Sequence, residues 1–353
     1  MKILVIQQKM IGDVLLSSIL CELLKTKYPN SQLDYVINSN TIDVITGNPF
    51  IDNVIEFSSK KKNTKQYLFK FISHLRANKY DLVVDAYGKL ESNLMSAFSG
   101  AKKRISYYKY YTFFCYSSTI QRKPIVITNA GNALENRLRL LVNEDQIASN
   151  IIRPKIYLSD QESLIAKEYL EQNNLTNDKK LIMISVLGSS KNKTLPLAYM
   201  AKLIDEIVGQ TNANILFNYI PSQFKEAEQV YNLTKDITKK SIHLNVFGKN
   251  LRSFLGILSH CTMLIGNEGG AVNMAKALGV DTFTVFSPWI KKEDWNMFED
   301  GETNVSVHLN DFKPKYYLGI KEHKILKKDS LKLYKEFTPD LIIPRLREYL
   351  KNK

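Results

Sequence analysis

A carboxylate directly behind a glycine, where an apolar run gives way to a helical pattern, is the first arrangement in this chain that could do chemistry. Residues 3–6 are apolar and read as a buried strand. Gln7-Gln8-Lys9-Met10-Ile11-Gly12-Asp13-Val14 then leads into a helix. Asp13 can act there as a general base at the carboxyl end of the strand, or as a helix N-cap. The two roles overlap, because the positive end of a helix favours an ionised carboxylate. The turn carries neither GxGxxG nor GxxxxGK(S/T), so it is not a dinucleotide-binding fingerprint or an NTPase P-loop.

The second arrangement spans residues 264–279, Leu264-Ile265-Gly266-Asn267-Glu268-Gly269-Gly270-Ala271-Val272-Asn273 and onward. A strand runs into Asn267 and a helix starts near Ala271. Gly269 and Gly270 let backbone approach a ligand closely, and a helix start offers free N–H groups to an anion such as a pyrophosphate. Glu268 could accept hydrogen bonds from ribose hydroxyls. The same residues also suit a tight turn with ordinary capping. Asp85 and Tyr87 end another strand and could line a cleft, although an Asp there also suits a turn. Histidines 74, 243, 260, 308 and 323 show no ligand spacing, so no metal site is expected. GxSxG is absent, which leaves Ser/His/Asp nucleophilic catalysis without support.

Elements of two kinds must position these groups. Strand-like runs fall at residues 3–6, 33–37, 54–57 and 82–84, with helical patterns at 14–25, 65–76 and 91–98. The alternation restarts with strands at 181–186, 214–218, 241–244, 263–266 and 283–286 and helices at 197–209 and 272–278. A last helix covers 339–349. This rhythm predicts an α/β protein with open, mostly parallel sheets. The expected division is a first domain at 1–160, a second at 175–335 and a C-terminal helix at 336–353. Ligands in such sheets bind at the carboxyl ends of the strands.

Length and composition agree. At about 150 residues per domain, 353 residues suggest two domains, and 44% hydrophobic residues suit a globular chain. Cys21, Cys115 and Cys261 lie far apart, which excludes a disulfide framework and suits a reducing compartment. No apolar run reaches membrane-spanning length, and the apolar run at 3–6 is too short for a signal-peptide core. A cytoplasmic location is therefore expected.

Four stretches in one order resemble glycosyltransferase family 9, the lipopolysaccharide heptosyltransferase family. They are the opening K-I-L-V-I with I-G-D-V-L-L-S, then Gly47-Asn48-Pro49-Phe50-Ile51-Asp52-Asn53-Val54, then Tyr80-Asp81-Leu82-Val83-Val84-Asp85-Ala86-Tyr87-Gly88, and residues 266–279. The resemblance covers most of residues 1–290. It implies a GT-B fold, two Rossmann-like domains facing a central cleft, with acceptor bound by the first and nucleotide sugar by the second. It also implies inverting, metal-independent transfer from a nucleotide-diphosphate sugar, commonly ADP-heptose, with no further cofactor.

By motif, Asp13 matches the family's catalytic base, and Gly12 beside it falls at the acceptor side. Lys193, in Lys193-Thr194-Leu195-Pro196, aligns with a family Lys-x-Trp-Pro motif whose lysine meets donor phosphate, with Lys191 a close competitor. Ser189 and Ser190 precede it, where hydroxyls could also meet phosphate. Three positions depart from the family pattern: Leu195 replaces a tryptophan, Glu268 an aspartate and Asn273 a histidine. Glu268, Gly269, Gly270 and Asn273 remain donor-binding candidates.

The net charge of +14 is concentrated. Residues 54–125 hold fourteen Lys or Arg against four acids, together with the aromatic run Tyr107-Tyr108-Lys109-Tyr110-Tyr111-Thr112-Phe113-Phe114. Basic residues interleaved with aromatics suit an anionic membrane surface, and equally a solvated face with core aromatics. No RNP, KH, zinc-finger or helix-turn-helix signature accompanies them, so nucleic acid is not an expected partner. Under the resemblance, Lys60, Lys61, Lys62 and Arg104 become candidate contacts for an anionic glycolipid acceptor at the inner leaflet. A different class of reading is a non-catalytic basic membrane-binding module with a degenerate nucleotide pocket. A third keeps the fold but epimerises or phosphorolyses a nucleotide sugar.

Overall fold

The computed structural model describes residues 1–58, 65–175, 178–320 and 323–353, and divides into two compact units, Met1–Tyr157 and Leu158–Lys353. Among the described residues, the first unit holds strands β1 (Lys2–Ile6), β2 (Gln32–Asn38), β3 (Asn53–Phe57), β4 (Leu82–Asp85), β5 (Lys103–Tyr107) and β6 (Ser118–Ile120). Its helices are α1 (Ile11–Lys27), α2 (Lys65–Ala77), α3 (Leu90–Phe98) and α4 (Asn132–Leu138). The strands form one parallel sheet in the order β3-β2-β1-β4-β5-β6.

The central strands are buried on both faces, which is why Ile3, Leu4, Val5 and Ile6 are all apolar and inaccessible rather than alternating. Chain order reverses between β1 and β4. Such a switch point opens a crevice at the carboxyl ends of the strands. β1 leads there into α1, the helix that carries Asp13.

The second unit repeats the plan with β7 (Leu181–Ser185), β8 (Asn214–Phe217), β9 (Met263–Asn267), β10 (Asp281–Val285) and β11 (Asn304–Val307), parallel in the order β11-β10-β9-β7-β8. Its helices begin with α5 (Asp160–Gln172), α6 (Leu197–Thr211), α7 (Phe224–Leu233), α8 (Asp236–Lys239) and α9 (Leu251–Ser259). They continue with α10 (Gly270–Ala277), α11 (Lys292–Trp295), α12 (Leu309–Phe312), α13 (Ser330–Glu336) and α14 (Pro339–Lys351). Here the order reverses between β7 and β9, so the loops that follow these two strands flank the crevice. They hold Lys193 and Glu268-Gly269-Gly270. Pro339 opens α14, and Ile342, Leu346, Tyr349 and Leu350, spaced as one helical face, are buried in the core of this unit.

Three strands were not expected from the sequence. β5 opens on Lys103-Arg104, which disguises it as part of the basic stretch, and β6 and β11 are short. The run at 241–244 is not a strand. It makes one parallel bridge, Ile215 to Ile242, and then turns, with the Val246 N–H bonded to the His243 carbonyl. No helix among the described residues is long and apolar enough to cross a membrane.

α5 is tied to α9 by a two-point ion pair. Arg252 donates from Nε and Nη2 to the two oxygens of Glu162, 2.6 Å each, and the Ser159 N–H and hydroxyl donate to the same carboxylate. The guanidinium holds the Glu162 carboxyl at about 2, below its usual 4.5. The folded value is depressed, so this stabilisation is complete above the unfolded value and is lost as pH falls through 4.5 towards 2. The group is partly solvated, which reduces the contribution to about 1 kcal/mol. Glu162→Gln should lower the urea midpoint at pH 7, and the gap to the wild type should narrow near pH 3. Equal midpoints at pH 7 would contradict this assignment.

Candidate active site

The candidate site of the first unit is built where β1 ends. Gln7 and Gln8 extend the sheet by two residues through Gln7 N–H to Val36 O and Asn38 N–H to Gln8 O, and both side chains are buried. The chain then turns into α1. Met10 is the N-cap and Asp13 is the third helical residue, so Asp13 is not the N-cap. Its Oδ2 lies 3.4 Å from the Met10 N–H. Gly12 precedes it in the first turn and is half-buried.

Asp13 has a partner that sequence reasoning did not single out. Arg137 of α4 donates from Nη2 to Asp13 Oδ1 at 2.6 Å. Its own position is set by Nε to Ser17 Oγ, 2.8 Å, and Nη1 to Ala133 O, 2.8 Å. With the Arg137 side chain 10% and that of Asp13 25% exposed, the pair sits at the edge of solvent. Arg137 therefore fixes the rotamer of the carboxylate, and among the described residues Oδ2 keeps only its long backbone contact. A carboxylate held in this way can accept a proton from a hydroxyl placed against Oδ2.

Asp85 ends β4 in the same unit as a turn organiser. Its Oδ1 accepts the N–H groups of Tyr87 and Gly88 at 2.9 and 2.8 Å, and its Oδ2 lies 2.7 Å from the Tyr116 hydroxyl. Complete burial raises its carboxyl above the usual carboxylate range. Arg104 donates to the carbonyls of Cys115 and Ala101. Lys60, Lys61 and Lys62 lie outside the described residues.

The candidate site of the second unit is built at its β7/β9 switch point. Asn267, the last residue of β9, ties the two loops together. Its Oδ1 accepts the Leu195 N–H at 2.8 Å, and its Nδ2 donates to Ser185 O and Val186 O at 3.0 Å each. Thr194 Oγ1 accepts the Gly188 N–H and donates to Ser190 O. The loop folds so tightly that a Cβ on Gly188 would stand 2.1 Å from the Lys193 carbonyl oxygen. This winding aims Lys193 at Glu268, with Nζ 3.0 Å from Oε1 and off the line of a hydrogen bond. Glu268 is 9% exposed.

Trp289, also absent from the sequence reading, lies beside this loop. Its Nε1 donates to Asn192 O, and its ring lies 5.8 Å from Lys193 Nζ and 5.2 Å from Lys327 Nζ. Two ammonium groups thus lie near one indole ring.

Gly269 adopts φ +153°, and a Cβ there would meet nothing within 4 Å. The backbone at the start of α10 is therefore open to a ligand, and the first N–H groups of the helix have no intrahelical acceptor. Asn273 lies one turn further on and is half-buried. Ser189 and Ser190 are exposed on the facing loop, with the Ser190 hydroxyl donating to Asn192 Oδ1. The structure thus brings Lys193, Glu268, Gly269 and Gly270 together. Leu195 is fully buried in the second unit's core, so the position of the family's tryptophan is a packing position in this chain. Among the described residues, no group of three or more His, Cys, Asp or Glu is placed to hold a metal ion.

Two doubly wound parallel sheets, each with candidate site residues in the loops at its switch point, make this an α/β protein of the GT-B class. The fold is similar to that of the glycosyl transferase family 9 protein from Veillonella parvula DSM 2008, with TM-score 0.82, 18% identity, and 100% of this chain and 98% of that chain covered. It is also similar to Escherichia coli heptosyltransferase WaaC with ADP-2-deoxy-2-fluoro heptose, with TM-score 0.59, 14% identity, and 96% and 99% covered. Lipopolysaccharide heptosyltransferase 1 of Campylobacter coli is 22% identical over 293 residues, 81% of this chain and 84% of that protein. Lipopolysaccharide heptosyltransferase 3 of Escherichia coli is 29% identical over 135 residues, which span 37% of this chain and 39% of that protein. Residues 68–318 match the profile of glycosyltransferase family 9 (heptosyltransferase). The chain belongs to that family.

Proposed function

We propose that the protein transfers a heptose or a related sugar from an ADP-linked donor to a lipopolysaccharide-core or other cell-envelope glycan, with inversion and without a metal. The carrying observation is the lysine beside an open helix start at the switch point of the second unit; the first unit, taken by itself, carries a positioned carboxylate at its own switch point. Asp13 Oδ2 takes the proton of the acceptor hydroxyl as its oxygen bonds to the anomeric carbon. The bond from that carbon to the diphosphate breaks, and the leaving oxygen carries the developing charge. Lys193 and the first N–H groups of α10 meet this charge.

Glu268 holds Lys193 until the donor arrives and is placed to accept from donor hydroxyls. The solved relative with an ADP-sugar analogue supports ADP as the nucleotide. The acceptor is an anionic glycolipid, and the protein works in the cytoplasm against the inner leaflet.

The test is calorimetric titration with ADP, UDP, GDP and CMP in EDTA. Micromolar binding of ADP in preference to the others is expected. Binding of none by a folded protein would overturn the reading and favour a non-catalytic module with a degenerate pocket.

A further inference from the structure

Beyond the chemistry, the surface of the first unit has a feature that sugar transfer does not explain. The registers of β4, β5 and β6 set the carboxyl ends of these strands side by side at one edge of the sheet. The loop after β5 carries five exposed rings, among them Tyr110 at 79% and Phe114 at 71%. They touch one another. Tyr108 stacks on Phe113 at 6.3 Å between centroids, and Phe113 meets Phe114 edge-on at 6.2 Å. Ile125, Val126 and Ile127, on the stretch after β6, are exposed as well. Scattered apolar residues on a surface are ordinary, whereas rings packed together in solvent mark a docking site.

Charge decides what docks. Between Ala86 and Leu134, Glu91 is the single acid against seven Lys or Arg. Lys123 is paired with Glu144. Lys109 reaches the Gly88 carbonyl, and Arg122 lies 3.9 Å over the Tyr107 ring, so two cations are seated among the aromatics. Tyrosine and phenylalanine in a stretch where cations outnumber acids match the headgroup region of an anionic bilayer.

We propose that residues 108–114 insert into the headgroup layer of an anionic membrane, with Lys89, Lys109 and Arg122 on its phosphates. β1 and β4 run in register from Ile3 with Leu82 to Ile6 with Asp85, so Asp13 and this rim lie at the same end of one sheet. Docking therefore presents the base towards the leaflet. That consequence rests on the function proposed above, whereas the binding itself does not.

The full chain is sedimented with phosphatidylcholine vesicles, alone or mixed with phosphatidylglycerol. Binding should require phosphatidylglycerol and weaken with added salt. Tyr110→Ser with Phe114→Ser should lose at least about tenfold in vesicle affinity. ADP binding and transfer to a lipid-free acceptor fragment should be retained by the variant. Three results would each overturn the proposal: no sedimentation of the wild type, sedimentation unchanged in the double variant, or preference for a single-stranded oligonucleotide over vesicles. Ring-dependent vesicle binding together with no ADP affinity would overturn the catalytic reading and leave this one standing.

Discussion

Asp13→Asn should lower kcat for sugar transfer by about 10²–10⁴-fold, the usual contribution of a positioned general base. A sugar hydroxyl is a poor nucleophile, and Oδ2 of Asp13 is the oxygen that Arg137 leaves available. Asparagine keeps the shape and still offers Oδ1 to Arg137 Nη2, so the ordering of α4 against α1 survives. What disappears is the site for the proton. Arg137 becomes an uncompensated charge at the edge of solvent, at a cost of about 1–2 kcal/mol in stability. ADP affinity should not change, because Lys193 and α10 belong to the other unit. Transfer kinetics and calorimetry on the same preparation separate the outcomes. Turnover equal to the wild type would remove Asp13 as the base, and loss of ADP binding as well would point to damage beyond the carboxylate.

Lys193→Ala carries the second large effect. The leaving diphosphate gains charge as the glycosidic bond breaks, and a cation at contact distance is worth about 10²–10³-fold in rate when it is removed. ADP affinity should fall with it, because the same ammonium meets the ground-state phosphates. The free protein is affected too, since Glu268, nearly inaccessible, loses the cation 3.0 Å from its Oε1. Glu268→Gln in the Lys193→Ala background relieves that unpaired charge and should recover stability but not turnover. Steady-state kinetics, ADP titration and thermal unfolding of the two single variants and the double variant provide the readouts. Unchanged kcat and ADP affinity in Lys193→Ala would transfer the role to Lys191 or Lys327.

Much of this molecule is local and could be read without coordinates. The central strands are buried on both faces, so they appear as unbroken apolar runs. Asp13 and Glu268-Gly269-Gly270 follow such runs directly, and in a parallel sheet that alone places them at the carboxyl ends of strands. Lys193 depended on a short motif, and its loop is held by Asn267, one residue before Glu268.

What stayed hidden is non-local. Arg137 lies 124 residues from Asp13, on a helix of seven residues too short to show a period. Trp289 reaches Lys193 only because the strand order places the loops after β7 and β10 near the same crevice. Residues 241–244 show the reverse case: they looked like a strand by their neighbours in sequence, yet they make a single bridge, Ile215 to Ile242, before the chain turns away.

The amino-acid sequence by itself determined the alternation of strand and helix and the placing of the candidate residues just after strands, because burial and turn chemistry act over a few residues. Tertiary structure alone decided the strand order, the partners of Asp13 and Lys193, and the exposure of the aromatic loop. Those depend on which distant segments the two sheets bring side by side.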